Sequence, residues 1–165
     1  MTRIICWITA LALCTSITVA RAEAQTAQDL VGTWTLVSAT IHSGDINLEP
    51  FGSDPSGTLN FGSDGHYALI FLRRDLPKLA SNNRLSQTLE ESRALTKGSI
   101  AHFGTYGVDE DEAGKVLVLR IESSTFPNWT GAEQRRRFSL SGDEFTYISP
   151  GSSGVATDVV LRRAK

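Results

Sequence analysis

Three consecutive arginines near the C-terminal end, residues 135–137, are the strongest candidates for chemistry in the sequence. They lie in a stretch with the composition of a β-strand, where alternate side chains face opposite sides of the sheet. Phe138 and Leu140 share a parity with Gln134 and Arg136. If the two apolar side chains face a core, Arg136 faces it too, and the arginines on either side face solvent.

A guanidinium in such a position needs a partner, because an unpaired buried charge is very costly. One alternative is a carboxylate such as Glu122 or Glu133, which would make a structural ion pair. The other is an anionic group on a bound ligand, for which arginine offers a planar set of donors. The sequence leaves both alternatives open.

His102 is the second candidate. It shares strand parity with Ile100 and Tyr106, and if that face points inwards, His102 and Tyr106 could act as general acid, general base or hydrogen-bond donors. The opposite parity would place Phe103 and Thr105 inside instead. A lone inward histidine is more often a hydrogen-bonded core residue than a catalyst.

No other pattern indicates catalysis or a cofactor. His42 and His66 lie at strand or turn ends, where we expect them to face solvent, and three scattered histidines do not predict a metal site. The sequence contains no phosphate loop, dinucleotide fingerprint or Gly-x-Ser-x-Gly nucleophile elbow. We therefore predict no metal and no cofactor.

The elements that must position these side chains are short strands rich in β-branched and aromatic residues. Ser63-Asp64-Gly65 and Ser141-Gly142-Asp143 are hairpin turns, because glycine supplies the positive φ that such turns need. Predicted strands cover residues 31–41, 57–61, 66–72, 99–108, 115–123, 133–140, 144–149 and 155–163, with an acidic turn at residues 109–114.

One short helix interrupts the strands. Residues 85–97 lack strand periodicity, Thr88 and Glu91 have the spacing of a capping box, and Gly98 is a helix stop. Seven or eight strands with one helix predict an all-β antiparallel barrel or sandwich. Closure into a barrel would remove both exposed edges, and about eight strands leave room for one small ligand.

The N-terminus has the three-part pattern of a secretory signal peptide: Arg3, an apolar run over residues 4–20, and small residues before the cut. We expect cleavage after Ala22, with Ala24 as the alternative site and an uncleaved anchor as the alternative reading. This predicts a signal peptide at residues 1–22, a polar lead-in at 23–28 and one domain over 29–165, in the periplasm or secreted.

The charge and the cysteine content exclude several kinds of site and partner. Both cysteines, Cys6 and Cys14, lie in the signal, so the mature chain has no thiol for a disulfide or a zinc site. Without Arg3 and Arg21 the 16 basic residues fall to 14 against 18 acidic ones, a net charge of −4. A mildly acidic domain is not expected to bind nucleic acid. We predict no stable membrane span after cleavage, and the oligomeric state stays open.

Five motifs occur in an order that resembles the lipocalin-like domain family of bacteria and fungi, a calycin-type β-barrel. The resemblance spans about residues 29–163 and rests on the motifs at residues 32–34 (GTW), 50–52 (PFG), 103–106 (FGTY), 126–131 (FPNWTG) and 134–138 (QRRRF). It implies a closed or nearly closed barrel with a central pocket. Some fungal relatives are thought to assist cyclisation or isomerisation. The family's Val-x-His reads Val118-Leu119-Arg120 here, so a histidine at that place is missing.

The resemblance also bears on two residue types. It implies that Trp34 closes the base of the barrel. Arginines beside that tryptophan are structural in lipocalins, so a base-capping arginine is a further alternative for Arg136. Trp129 differs, because it lies in the connection 127–131, where aromatic rings tend to line a mouth or lid.

Three hypotheses follow. The first is an exported protein that binds a small hydrophobic or amphipathic molecule in the barrel interior, between an apolar wall that includes Leu69 and a polar end at Arg136. The second is a cyclase or isomerase using His102 or Tyr106, and the third is a filled barrel that serves structure or interaction. The expected ligand-binding residues are Arg136, Tyr106, His102, Trp129, Phe126, Tyr67, Phe71 and Gln134.

Overall fold

The computed structural model describes residues 26–44 and 46–165. The expected signal peptide, residues 1–22, and its two cysteines lie outside the described residues. The described elements are the helices α1 (Ala27–Leu30) and α2 (Leu89–Lys97), a 3-10 turn at Pro127–Trp129, and the strands β1 (Gly32–Ser43), β2 (Ile46–Leu48), β3 (Pro55–Phe61), β4 (His66–Arg73), β5 (Ser99–Asp111), β6 (Gly114–Ser124), β7 (Glu133–Ser141), β8 (Glu144–Ser149) and β9 (Thr157–Arg163).

The strands form a closed antiparallel barrel, as predicted. From β3 onwards each strand pairs with the next along the chain, and β9 returns to pair with β1. Trp34 shows the closure directly, because it pairs with Leu59 of β3 on one side and with Arg163 of β9 on the other. Eight strands make the barrel, and β2 is an extra strand on the end of β1.

The alternation of side chains along each strand determines which residues face the barrel interior. In β4, Tyr67, Leu69 and Phe71 are buried and the residues between them face outwards. The same alternation buries every second residue of β7 and β8 near their starts. Side chains of one parity therefore fill the barrel, as the period of a strand requires.

The base of the barrel is closed around Trp34, as the resemblance implies. Its indole is fully buried and donates to the carbonyl oxygen of Leu30 at 2.8 Å. Arg163 lies over the indole, with Cζ 4.2 Å from the ring centroid, and donates to the carbonyl oxygens of Asp29 and Val31. The arginine that caps the base is thus Arg163.

Helix α2 begins and ends where its caps predict. Thr88 Oγ1 accepts from the backbone N–H of Glu91 at 3.2 Å, the Glu91 carboxylate accepts from the backbone N–H of Thr88 at 2.7 Å, and Gly98 follows the last turn. No residue of this helix is buried. No helix in the described part of the chain is long and apolar enough to cross a membrane.

One helix was not predicted and one turn is shorter than expected. Helix α1 begins at Ala27, within the polar lead-in of residues 23–28; Asp29 accepts from the backbone N–H of Thr26 at 2.6 Å, and Leu30 is buried beneath the barrel. The acidic turn expected over residues 109–114 is shorter, because β5 runs to Asp111 and pairs it with Gly114. An ion pair of 2.6 Å between Lys115 and Glu110 spans the two strands there.

Candidate ligand-binding site

A cavity of about 410 Å³ lies inside the barrel at the end opposite Trp34. We call this end the mouth; it is formed by the loop residues 50–51, 125–129 and 151–153 and by the last residues of α2. Leu69, Phe71, Ile100 and Val159 make the inner wall. Antiparallel strands that all end or begin here bring these distant parts of the sequence together.

Aromatic rings line the mouth. Phe126 and Trp129 meet edge to face with their centroids 5.5 Å apart, and Phe51 meets Phe71 at 5.9 Å. The 3-10 turn at Pro127–Trp129 positions Trp129, because the N–H of Trp129 donates to the carbonyl oxygen of Phe126 at 3.0 Å. These contacts give the cavity an apolar entrance.

Arg136 is the charged group of the inner wall. It is only 1% exposed, and its Nη2 and Nε donate to Oε1 of Gln134 at 2.6 and 3.2 Å. Its Cζ lies 5.0 Å from the ring centroid of Tyr147. No ion pair joins Arg136 to any carboxylate in the part of the chain that the structure describes.

The carboxylates proposed as partners for Arg136 are engaged elsewhere or exposed. Glu133 pairs with Arg120 at 3.2 Å on the outer surface, and Glu122 is exposed. The flanking arginines also face outwards, as parity predicts: Arg135 meets Asp109 at 2.7 Å, and Arg137 approaches Asp111 at 3.8 Å. The base-capping alternative for Arg136 is wrong, because Arg163 has that place.

His102 faces the cavity from β5 and is 3% exposed. Its Nδ1 lies 2.9 Å from the hydroxyl of Tyr67, and the rings of Tyr67 and Trp129 flank the imidazole at 5.5 and 5.7 Å. Burial, reinforced by the positive charge of Arg136, lowers the pKa of His102 from 6.5 to about 3. The imidazole is therefore neutral at ordinary pH and a weak base.

Tyr67 stays protonated over the same range. Burial raises the pKa of its hydroxyl, and the nearby charge of Arg136 opposes that rise only in part. A protonated phenol can donate a hydrogen bond to Nδ1 of His102. Both side chains are therefore uncharged, and the hydroxyl proton of Tyr67 is available for the hydrogen bond to Nδ1 of His102.

Tyr106 faces inwards but lies away from the cavity. Its hydroxyl donates to the carbonyl oxygen of Gly62 at 2.9 Å, and its ring packs 4.6 Å from Phe61. It lies four strand positions from His102, a distance of about 13 Å towards the base. Tyr106 does not line the cavity, because strand parity sets the face of a side chain and leaves its depth open. Its contact with a ligand stays a prediction.

The structure brings most of the other expected site residues together. Tyr67 and Gln134 lie behind the wall and hold His102 and Arg136 in place. Their roles towards a ligand stay predictions. The expected residues that line the cavity are Arg136, His102, Phe71, Phe126 and Trp129.

Sequence reasoning missed several residues of the wall. Tyr147 and Ser149 in β8 are buried, and Lys97 ends α2 at the mouth. The alternation of Phe145, Tyr147 and Ser149 along β8 could have predicted that Tyr147 and Ser149 face inwards. Lys97 had no such signal, because its place depends on where α2 rests.

The charge of the wall is one-sided. Lys97 and Arg136 are the cations among the described lining residues, and no aspartate or glutamate lines the cavity in that set. A site of this kind attracts negative charge, since the low dielectric of a barrel interior weakens screening.

A closed antiparallel barrel with an internal cavity defines the general class of ligand-binding barrels. The family model described as lipocalin-like domain matches residues 31–157, and the chain belongs to the lipocalin-like domain family. A search of curated proteins finds no match for the chain.

Proposed function

We propose that this protein is an exported binding protein that holds a small, mainly apolar molecule inside its barrel. The observation that carries the proposal is the cavity of about 410 Å³, whose wall combines aromatic and aliphatic side chains with few polar groups. Small-molecule sites typically have this size and this composition. A filled barrel that serves only structure or interaction does not fit an interior of that volume.

The proposal of export rests on the N-terminal pattern. Arg3, the apolar run over residues 4–20 and the small residues Ala20 and Ala22 have the order that signal peptidases recognise. The periplasm or the extracellular space is the proposed location.

The pair of Tyr67 and His102 is the observation that favours an enzyme as a second candidate. His102 lines the cavity and Tyr67 lies directly behind it, with the two groups 2.9 Å apart and within reach of a proton transfer. Against it, burial lowers the pKa of His102 to about 3, which suits a hydrogen-bonding group better than a general base working near neutral pH. Under the enzyme hypothesis, His102→Gln would abolish turnover and spare binding.

Native mass spectrometry of the protein purified from its own host tests the proposal. We expect a bound molecule that dissociates on collisional activation. The variant Ile100→Trp should lose this molecule, because Ile100 lines the cavity and a larger ring would occupy the space. Ile70→Trp is the matched control, since Ile70 is exposed on the outer face of the adjacent strand β4 and does not line the cavity. The proposal would be contradicted if both variants carried the same amount of the bound molecule. It would also be contradicted if the wild type carried no molecule and did not take up Nile red.

A further inference from the structure

We propose that the ligand carries a single negative charge of the carboxylate class, and that this group binds Arg136 and Nε2 of His102 at the inner end of the cavity. This inference rests on the proposed binding function and adds the chemistry and the orientation of the ligand. The charged end would enter first, and the apolar part would fill the aromatic mouth.

The first reason is the unmatched charge of Arg136. Gln134 is neutral, so its Oε1 accepts hydrogen bonds from the guanidinium without cancelling the positive charge. Two of the five N–H groups of the guanidinium are used in these bonds and a further one bonds the neutral Tyr147 hydroxyl, which still leaves donors for another acceptor. A buried charge is stable only when paired, and a ligand anion would complete the pair.

The second reason is the orientation of His102. Tyr67 holds Nδ1, so Nε2 is the ring nitrogen left for a ligand in the cavity. If Tyr67 only accepted from Nδ1, its own buried proton would lack a partner, whereas donation to Nδ1 satisfies both groups. The second arrangement puts the imidazole proton on Nε2, where it can be donated to an anion.

The third reason is the count of charges. One interior cation, Arg136, balances one negative charge, and a dianion would leave a charge unpaired in the low-dielectric interior. No carboxylate among the described wall residues competes for Arg136. Lys97 at the mouth adds attraction for an arriving anion without entering the interior.

The positions of the charged and the aromatic residues along the cavity indicate which end of the ligand points inwards. Arg136 in β7 and His102 in β5 both line the cavity from strand interiors, each three residues from the mouth end of its strand. Phe126 and Trp129 lie in the mouth loop itself. A molecule with one charged and one apolar end therefore matches the site with its charge inwards.

Three probes with the same tail and different head groups test the inference: decanoate, decanol and decyltrimethylammonium. Their dissociation constants are measured by calorimetry at neutral pH on delipidated protein. We expect decanoate to bind about 10- to 100-fold more tightly than decanol, as for hydrogen bonds to charged groups, and the ammonium probe to bind weakest. In addition, the NMR signal of Nε2 of His102 should shift with decanoate and not with decanol.

Variants of neighbouring arginines give the matched control. Arg136→Met should reduce decanoate affinity to that of decanol, whereas Arg135→Met, on the outer surface, should leave all three constants unchanged. The head-group series on the wild type decides the question even if Arg136→Met does not fold. Equal affinities of the wild type for decanoate and decanol would overturn this inference and leave the proposed function intact. No binding of any probe would overturn both.

Discussion

Arg136 lies in the barrel interior and Arg163 at the barrel base, and the two guanidinium groups have different surroundings. Arg163 donates to two carbonyl oxygens and covers Trp34 at the edge of the barrel, where part of its guanidinium reaches solvent. Arg136 is 1% exposed and has a neutral amide as its hydrogen-bond acceptor. The first arrangement stabilises the fold; the second costs folding free energy until an anion arrives.

This difference predicts the effect of removing the buried charge. The double variant Arg136→Met and Gln134→Leu replaces both partners by apolar side chains of similar size. We expect the free energy of unfolding of the ligand-free protein to rise by about 1–4 kcal/mol in urea titrations. Arg135→Met, the exposed control, should stay within about 0.5 kcal/mol of the wild type. A lower stability of the double variant would mean that Arg136 is already satisfied without a ligand.

The low pKa of His102 predicts a pH dependence of stability. The folded protein keeps His102 neutral down to about pH 3, while the unfolded chain takes up a proton below about 6.5. The unfolding free energy should therefore fall as the pH drops through this window, by up to about 1.4 kcal/mol per pH unit from this residue. Above that window the full contribution is present.

Urea titrations at several pH values check this sign. The slope should be shallower in His102→Gln than in the wild type. Parallel curves for the wild type and His102→Gln would contradict burial of a neutral imidazole.

At the residue scale, strand alternation predicted which side chains face the barrel interior but not how deep in the barrel they lie. The inward side of Arg136 follows from Phe138 and Leu140, and the inward side of His102 follows from Ile100. Tyr106 has the same parity as His102 and a different depth, so its separation from the cavity needed the three-dimensional structure.

At the scale of elements, β5 and β6 come unusually close at one position. The register between them shifts at Phe103 and Gly104, and a Cβ on Gly104 would collide with the carbonyl oxygen of Arg120. His102 comes immediately before this irregularity. Glycine thus allows the strands to approach next to the site.

We predict that Gly104→Ala lowers the free energy of unfolding by about 3 kcal/mol or more, because backbone atoms would have to move. Gly107→Ala in the same strand is the control, since a Cβ there has open space around it. Thermal unfolding followed by circular dichroism should separate the two. Similar melting temperatures for both variants would contradict the tight approach of the strands.

The elements differed in how well the sequence predicted them. Strands with clear alternation and the helix with the Thr88 and Glu91 box were predicted close to their bounds. The strand β2 was missed because it has three residues, all of them exposed, and offers no pattern. The helix α1 was missed because its four residues include a single buried one, Leu30.

At the scale of the whole molecule, closure of the barrel was predictable and its hollow interior was not. Closure follows from the number of strands and the need to avoid open edges. The cavity depends on how side chains of different size meet: Trp34, Phe61 and Phe145 fill the base, whereas Ser149, Thr157 and Ile100 leave space at the mouth. No periodicity of a single strand contains that information.

The most direct measurement is a crystal structure with decanoate that carries a bromine on its last carbon. We expect a bromine anomalous peak in the mouth beside the rings of Phe126 and Trp129, with the carboxylate density at Arg136. A peak on the outer surface of the barrel, or bromine at Arg136 with the carboxylate at the mouth, would contradict it.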